Sequence, residues 1–240
     1  MDYYFITGTS RGIGKALAEL LLKNENNIVY GFSRSNSIDA KNYIHKKFDL
    51  GNPDMVKDFE FPELKDAGSV TLVNNSAAGM EIKSLGKLSS ENIIYVYNVN
   101  LVSPSIMMNN FIKKYQQLKC RRIILNISSG AAYKAIESWS VYCASKAALA
   151  MISEVTDVEQ KLNHPDNPVY VFSVGPGVVN TEMQTKLRNV SPEDFSMVDK
   201  FIEYYEKKEL AEPEDIAVKL HKLLHSPVNF DKVALTVREL

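Results

Sequence analysis

The sequence predicts an α/β protein: a doubly wound parallel sheet with helices on both faces, folded as a single domain over residues 1–240. Three observations predict it. Strand-like and helix-like segments alternate along the chain, which supplies the helical crossovers that parallel strands require. Several strand segments are near-continuous apolar runs, as strands buried on both faces are. A glycine cluster joins the first strand to the first helix, where open sheets of this kind present a ligand crevice.

The elements follow in order. "YYFIT" (3–7) is a short apolar strand ended by Gly8, and residues 13–24 place Ala16, Leu17, Leu20 and Leu21 on one helical face. "NIVYGFS" (27–33) reads as a buried strand and "HKKFDL" (45–50) as a weaker one. Residues 69–75, 121–128 and 167–174 are three strand runs rich in β-branched residues. Long helical patterns cover 89–117 and 139–163, with Met107, Met108 and Met151 at core or subunit-contact positions. The charged "FIEYYEKKEL" (201–210) reads as a solvated helix. A final helix, 213–225, opens on acids suited to a helix N-terminus, and "KVALTV" (232–237) is the last strand. No repeat or internal linker interrupts the series.

Composition excludes several classes of function. The chain is 45% apolar and 24% charged, ordinary for a globular protein. Its formal net charge of −1 leaves no electrostatic footprint for nucleic acid or an anionic membrane, and no apolar run approaches spanning length. Cys120 and Cys143 are the only cysteines, so a reducing compartment is expected and a disulfide framework is not. "MDYYFITG" has no basic or long apolar leader region. The expectation is a soluble cytoplasmic protein with no metal. His221 and His225 have ligand-like i,i+4 spacing, but no third ligand stands near them.

"ITGTSRGIGKAL" carries the first functional signal. Gly8 permits a sharp turn, and Gly12 and Gly14 let backbone N–H groups approach a pyrophosphate at the helix N-terminus. The second strand ends in "GFSRSNS". Sites that prefer NAD place an acid there for the ribose 2′-hydroxyl, but Arg34 stands there instead, and Arg11 adds a second guanidinium in the loop. Guanidinium forks suit a 2′-phosphate, so NADP(H) is expected rather than NAD.

The second signal is Tyr-x-x-x-Lys, which occurs four times: Tyr43/Lys47, Tyr115/Lys119, Tyr142/Lys146 and Tyr204/Lys208. The first lies in or beside a strand, where i and i+4 are about 13 Å apart. The second ends a helix in a polar stretch and the fourth sits in the charged helix. Tyr142/Lys146 opens a helix directly after the "RRIILNISS" strand, near the strand ends where such sheets bind ligands, and helical spacing puts both side chains on one face. Cys143 points elsewhere and reads as a small buried residue.

"TGTSRGIG", "NNSA", "NVN", "ISS", "YCASK" and "GPGVVNT" stand in the order and spacing of the short-chain dehydrogenase/reductase family, which the chain resembles over nearly its whole length. The resemblance implies a Rossmann fold, with Tyr142 as proton donor, Lys146 as its activator and Ser129 polarising the carbonyl. Asn100, rather than Asn98, would hold a proton-relay water. Cofactor contacts would come from Gly8, Ser10, Arg11, Gly12, Ile13, Gly14, Ser33 and Arg34. Asp49 and Leu50 would meet the adenine end, Asn75, Ser76 and Ala77 would line the cofactor, and Pro176, Gly177, Val179, Thr181 and Met183 would lie toward the nicotinamide. Ser76-Ala77 replaces the family's usual Ala-Gly, adding a Cβ near the cofactor. The family commonly dimerises through the helices at 89–117 and 139–163, so a homo-oligomer is implied.

The chemistry suits these residue types. A hydride delivered to a carbonyl carbon leaves charge on oxygen, and an acid must quench it. An ammonium about 4 Å from the phenol, at an effective dielectric of ~20, is worth about 4 kcal/mol, roughly three pK units. Ser129 adds a hydrogen bond to the same oxygen.

A loop over 174–210 is expected to cover the substrate with Val178, Met183, Leu187, Phe195 and Met197. Trp139 either faces this space or packs below it. Substrate contacts are expected from Ser129, Trp139, Tyr142 and Gly177. Within the family, the chain is most similar to the branch of sepiapterin and benzil reductases. Sepiapterin reductases hold the pterin with an Asp in the last strand, but Leu235-Thr236-Val237 has no acid. A small neutral aromatic or diketone carbonyl compound is therefore expected. The implied function is an NADPH-dependent carbonyl reductase. The alternatives are an NADP-dependent alcohol dehydrogenase and an NADP(H)-binding sensor with little catalysis.

Overall fold

Successive strand residues point to opposite faces, and in β1 (Asp2–Thr7) both directions are apolar. Tyr3 and Phe5 enter one hydrophobic layer, Tyr4 and Ile6 the other, and all four are buried. Such a strand belongs in the middle of a sheet covered on both sides. The computed structural model, which describes residues 1–79 and 81–240, places it there. Seven parallel strands run in the order β3 (Tyr43–Lys47), β2 (Asn27–Ser33), β1, β4 (Ser69–Asn74), β5 (Arg121–Ile127), β6 (Tyr170–Gly175), β7 (Ala234–Thr236).

Helices α1 (Gly12–Leu21) and α8 (Pro213–His225) cover the Tyr4/Ile6 face through Leu17, Leu21, Leu220 and Leu224. The other face is covered by α3 (Ser90–Tyr97) and α4 (Ser103–Tyr115), with α5 (Ser140–Asn163) beside them. The short α2 (Pro53–Lys57) adds Val56 to that layer. Two further helices, α6 (Glu182–Arg188) and α7 (Val198–Glu206), follow β6 and build a third, smaller layer with Trp139, Tyr142 and Phe195. Strand order reverses at β1/β4, which opens a crevice at the C-terminal strand ends.

Four expectations change. The helix over 89–117 is interrupted by a wide turn, Asn98–Val102, in which the Ser103 N–H reaches the Asn98 carbonyl five residues back. Pro104 is the local reason: it has no N–H to give the Asn100 carbonyl four residues earlier. The segment at 201–210 is not wholly solvated, because Phe201 is buried on the inner side of α7, beside Val198. Tyr115 is not on a polar surface: it is 2% exposed within an aromatic layer, and its hydroxyl donates to the Pro62 carbonyl at 2.8 Å. Helix α2 escaped notice because five residues carry no readable period. Its N-cap, Asn52, accepts from the Asp54 and Met55 N–H groups. Among the described residues, no helix is long and apolar enough to cross a membrane.

Candidate active site

The glycine loop takes its shape from backbone conformations that only glycine adopts without strain. Gly8 has φ +77°, and a Cβ there would meet Ser76 Oγ at 2.8 Å and Asn75 Nδ2 at 2.9 Å. The Ser76 side chain thus packs against the loop. Gly12 has φ +59°, and the nearest atom to a Cβ there is Thr181 Cγ2, 3.5 Å away. The front of the α1 N-terminus is therefore open. Gly14 acts differently from expectation. A Cβ at Gly14 would sit 2.3 Å from Asn75 Nδ2 and 2.5 Å from the Gly8 carbonyl oxygen. Its smallness lets the Asn75 amide donate to the Thr7 and Gly8 carbonyls, at 2.9 and 3.3 Å, which ties the loop to the end of β4.

A cavity of about 1120 Å³ runs along the C-terminal strand ends, slightly above the usual range for ligand sites. The residues expected to contact cofactor or substrate line it, except Gly14, which lies behind the loop, and Phe195. Asn100 is likewise absent from the wall and fully buried. At one end stand Arg34 and Asp49. The Arg34 guanidinium donates to the Tyr95 hydroxyl at 3.3 Å, and the Tyr95 ring packs on Gly51, where a Cβ would lie 2.3 Å from the ring. Arg11 forms an ion pair with Glu182, which also holds Lys186 at 3.4 Å.

Tyr142 and Lys146 occupy the other end, on the first turns of α5. Of the four Tyr-x-x-x-Lys pairs, this one alone has both members on the cavity wall. Tyr43 instead hydrogen-bonds Thr9 Oγ1 at 2.8 Å beneath the glycine loop. Tyr204 lines the cavity, but Lys208 does not. Lys146 Nζ lies 5.8 Å from the centroid of the Tyr142 ring and donates to the Ile127 carbonyl at 2.8 Å. Burial lowers the Lys146 ammonium to about 8. Burial also pushes the Tyr142 phenol up to about 12, with the Ser129 hydroxyl acting in the opposite direction. This reverses the expectation that the ammonium brings the phenol down. The ring is only 8% exposed, and the ammonium is turned toward a strand carbonyl.

Trp139 satisfies both readings left open for it. It lines the cavity, stands edge-on to Tyr142 at 5.6 Å and stacks on Phe195 at 5.7 Å. Phe195, expected on the lining, is fully buried behind it. Asn100 accepts from the Ala78 N–H at 2.8 Å and donates to Ser145 Oγ at 3.2 Å. Asn98 turns away, to the Gly51 carbonyl at 3.2 Å. Sequence reasoning missed Tyr95, Ile136, Lys134, Lys186, Lys200 and Phe201 on the wall, and Ile82 in a small recess beside Trp139 and Tyr142. No local motif marks them, since each reaches the cavity through tertiary packing.

A crevice at the strand-order reversal, with a glycine loop at one end and a buried phenol–ammonium pair at the other, defines a dinucleotide-dependent oxidoreductase. Residues 3–191 match the family model for short chain dehydrogenases, and the chain belongs to that family. It is an oxidoreductase acting on CH–OH or C=O groups with a nicotinamide cofactor. It is 31% identical over 239 residues to the (S)-benzoin-forming benzil reductase of Bacillus cereus, covering 94% of this chain and 95% of that one. To the Bacillus subtilis benzil reductase it is 32% identical over 231 residues, covering 93% of each. A short chain dehydrogenase/reductase structure from Saccharomyces cerevisiae shares the fold, with a TM-score of 0.80 at 21% identity over 99% of this chain and 96% of that one.

Proposed function

We propose that the protein is an NADPH-dependent carbonyl reductase that reduces one carbonyl of an α-dicarbonyl compound. The observation that carries the reading is the placement of Tyr142, Lys146 and Ser129 on the same cavity wall as the glycine loop. The two benzil reductases, similar over almost their full length, support the substrate class. The residues fit the dinucleotide: Gly8 and Gly12 hold left-handed turns that leave the α1 N-terminus clear for a pyrophosphate. Arg34 stands at the far end with no acid beside it on the strand exit, which favours a 2′-phosphate.

Bound along this wall, NADPH would supply a hydride to the carbonyl carbon. The carbonyl π pair moves onto oxygen, which takes the Tyr142 proton and becomes a hydroxyl. A phenol raised to about 12 stays protonated through the neutral range and is ready to donate. Ser129 orients the oxygen by a hydrogen bond. Lys146, still largely protonated at neutral pH, stabilises the phenolate left behind and is fixed by the Ile127 carbonyl. The wide turn at Asn98–Val102 and the missing N–H of Pro104 leave the Asn100 carbonyl suited to hold a water that returns the proton. Residues 174–210, with α6 and α7, cover the substrate.

A second copy of the chain is the proposed partner. Met151, Val155, Val158 and Leu162, spaced by four, three and four residues on α5, are 63%, 46%, 63% and 76% exposed. This apolar strip suits helix-to-helix packing, and Val158→Glu is expected to halve the mass measured by light scattering. Two free cysteines accord with a cytoplasmic location. The direct test of the reaction is NADPH oxidation, followed by absorbance, with benzil as substrate. No turnover of benzil or simpler diones would overturn the reading.

A further inference from the structure

The carbonyl chemistry leaves part of the cavity wall unexplained. Around Trp139 and Tyr142 the wall is apolar, from Ile136, Met197 and Phe201, yet Lys134, Lys186 and Lys200 also line it. They come from three different places: the segment after β5, α6 and α7. Lys186 is nearest the chemistry. It shares a side recess of about 40 Å³ with Trp139, Tyr142 and Leu187. The one carboxylate on this part of the wall is Glu182, and it is already shared between Arg11 and Lys186. Among the described residues, Lys134 and Lys200 enter no ion pair. The Lys200 ammonium lies 5.8 Å from the Tyr204 ring centroid, another residue of the same wall.

A single exposed lysine is ordinary surface. Three on the wall of one cavity, with a deficit of carboxylate, create a positive potential that the low-dielectric walls focus inward. The cofactor does not need them, since its phosphates are provided for by the α1 N-terminus and Arg34 at the far end. A neutral diketone does not need them either.

We infer that the substrate is an apolar carbonyl compound that also carries an anionic group, placed away from the reacting carbonyl. This rests on the carbonyl reductase reading and narrows it. The apolar body lies on Trp139 and Phe201 beside Tyr142. The anionic end meets Lys134 and Lys200 at the cavity mouth, with Lys186 between them and the phenol.

The test compares 1-phenyl-1,2-propanedione with its para-carboxylate, using NADPH, at low and high salt. Wild type is assayed beside the Lys134→Gln/Lys200→Gln and Lys134→Arg/Lys200→Arg double variants. At low salt, kcat/KM for the carboxylate is expected to exceed that for the neutral dione by about tenfold. High salt should erase most of the advantage. The glutamine variant should bring the ratio near one, and the arginine variant should keep it. If the dione is reduced and the carboxylate is no better, the charge inference fails while the reductase reading stands. A ratio unchanged in the glutamine variant also overturns it. If neither compound is reduced, the reductase reading fails and this inference goes with it.

Discussion

The two ends of the cavity are made of different materials. At the glycine loop the wall is backbone and small side chains, pinned to the sheet. Thr7 Oγ1 accepts the Asn75 and Ser76 N–H groups, both at 3.0 Å, and Gly8 and Gly12 hold left-handed turns. At the Tyr142 end the wall is large side chains, many of them on α6 and α7, that pack on one another: Trp139 on Phe195, and Phe195 on Phe201 at 5.7 Å. The first end admits one ligand shape and suits a cofactor that never varies. The second can be rebuilt by substitution without disturbing a strand, which is how one scaffold serves many substrates.

Four substitutions test this contrast, taken from the largest expected effect down. Tyr142→Phe should lower kcat by about 10²–10⁴ while NADPH binding, followed by cofactor fluorescence, stays within about threefold. Retained turnover would mean that the end built from side chains does not hold the acid. Gly14→Ala forces a Cβ into Asn75 and the Gly8 carbonyl, and should cost about 3 kcal/mol in urea denaturation. A neutral result would show the loop to be softer than its contacts imply.

Lys146→Met should lower turnover less than Tyr142→Phe does, yet stabilise the fold by about 2 kcal/mol at pH 7. The sign follows from linkage. Burial lowers the ammonium to about 8, so its cost to the folded state is complete below that pH. The cost fades as pH rises toward the ordinary lysine value of about 10.4. The margin of the variant over wild type should therefore shrink between pH 8 and 10. Smallest is Arg34→Ala, which should reduce the preference for NADPH over NADH by about tenfold, read from the ratio of their Kd values.

The same contrast explains what the sequence could disclose. The seven strands, the glycine loop and the Tyr142/Lys146 pair are set by local period, spacing and chirality, so their order is legible, although β3 runs over Tyr43–Lys47 and not 45–50, and β7 only over Ala234–Thr236. Gly14 was placed in the right loop with the wrong task, because its reason is Asn75, sixty-one residues away. Tyr95 and the lysines on α6 and α7 carry no local signal at all. Their position depends on how helices settle over strand ends. The break at Asn98–Val102 could have been anticipated from Pro104, since a proline inside a helical pattern always denies one carbonyl its donor.

The chain contains a single tryptophan, and Trp139 lines the cavity beside Tyr142. Its near-ultraviolet emission therefore comes from one spot, within reach of energy transfer to a reduced nicotinamide. Cofactor arrival, substrate displacement and collapse of the aromatic stack can each be followed as a change in one native signal, with no label added.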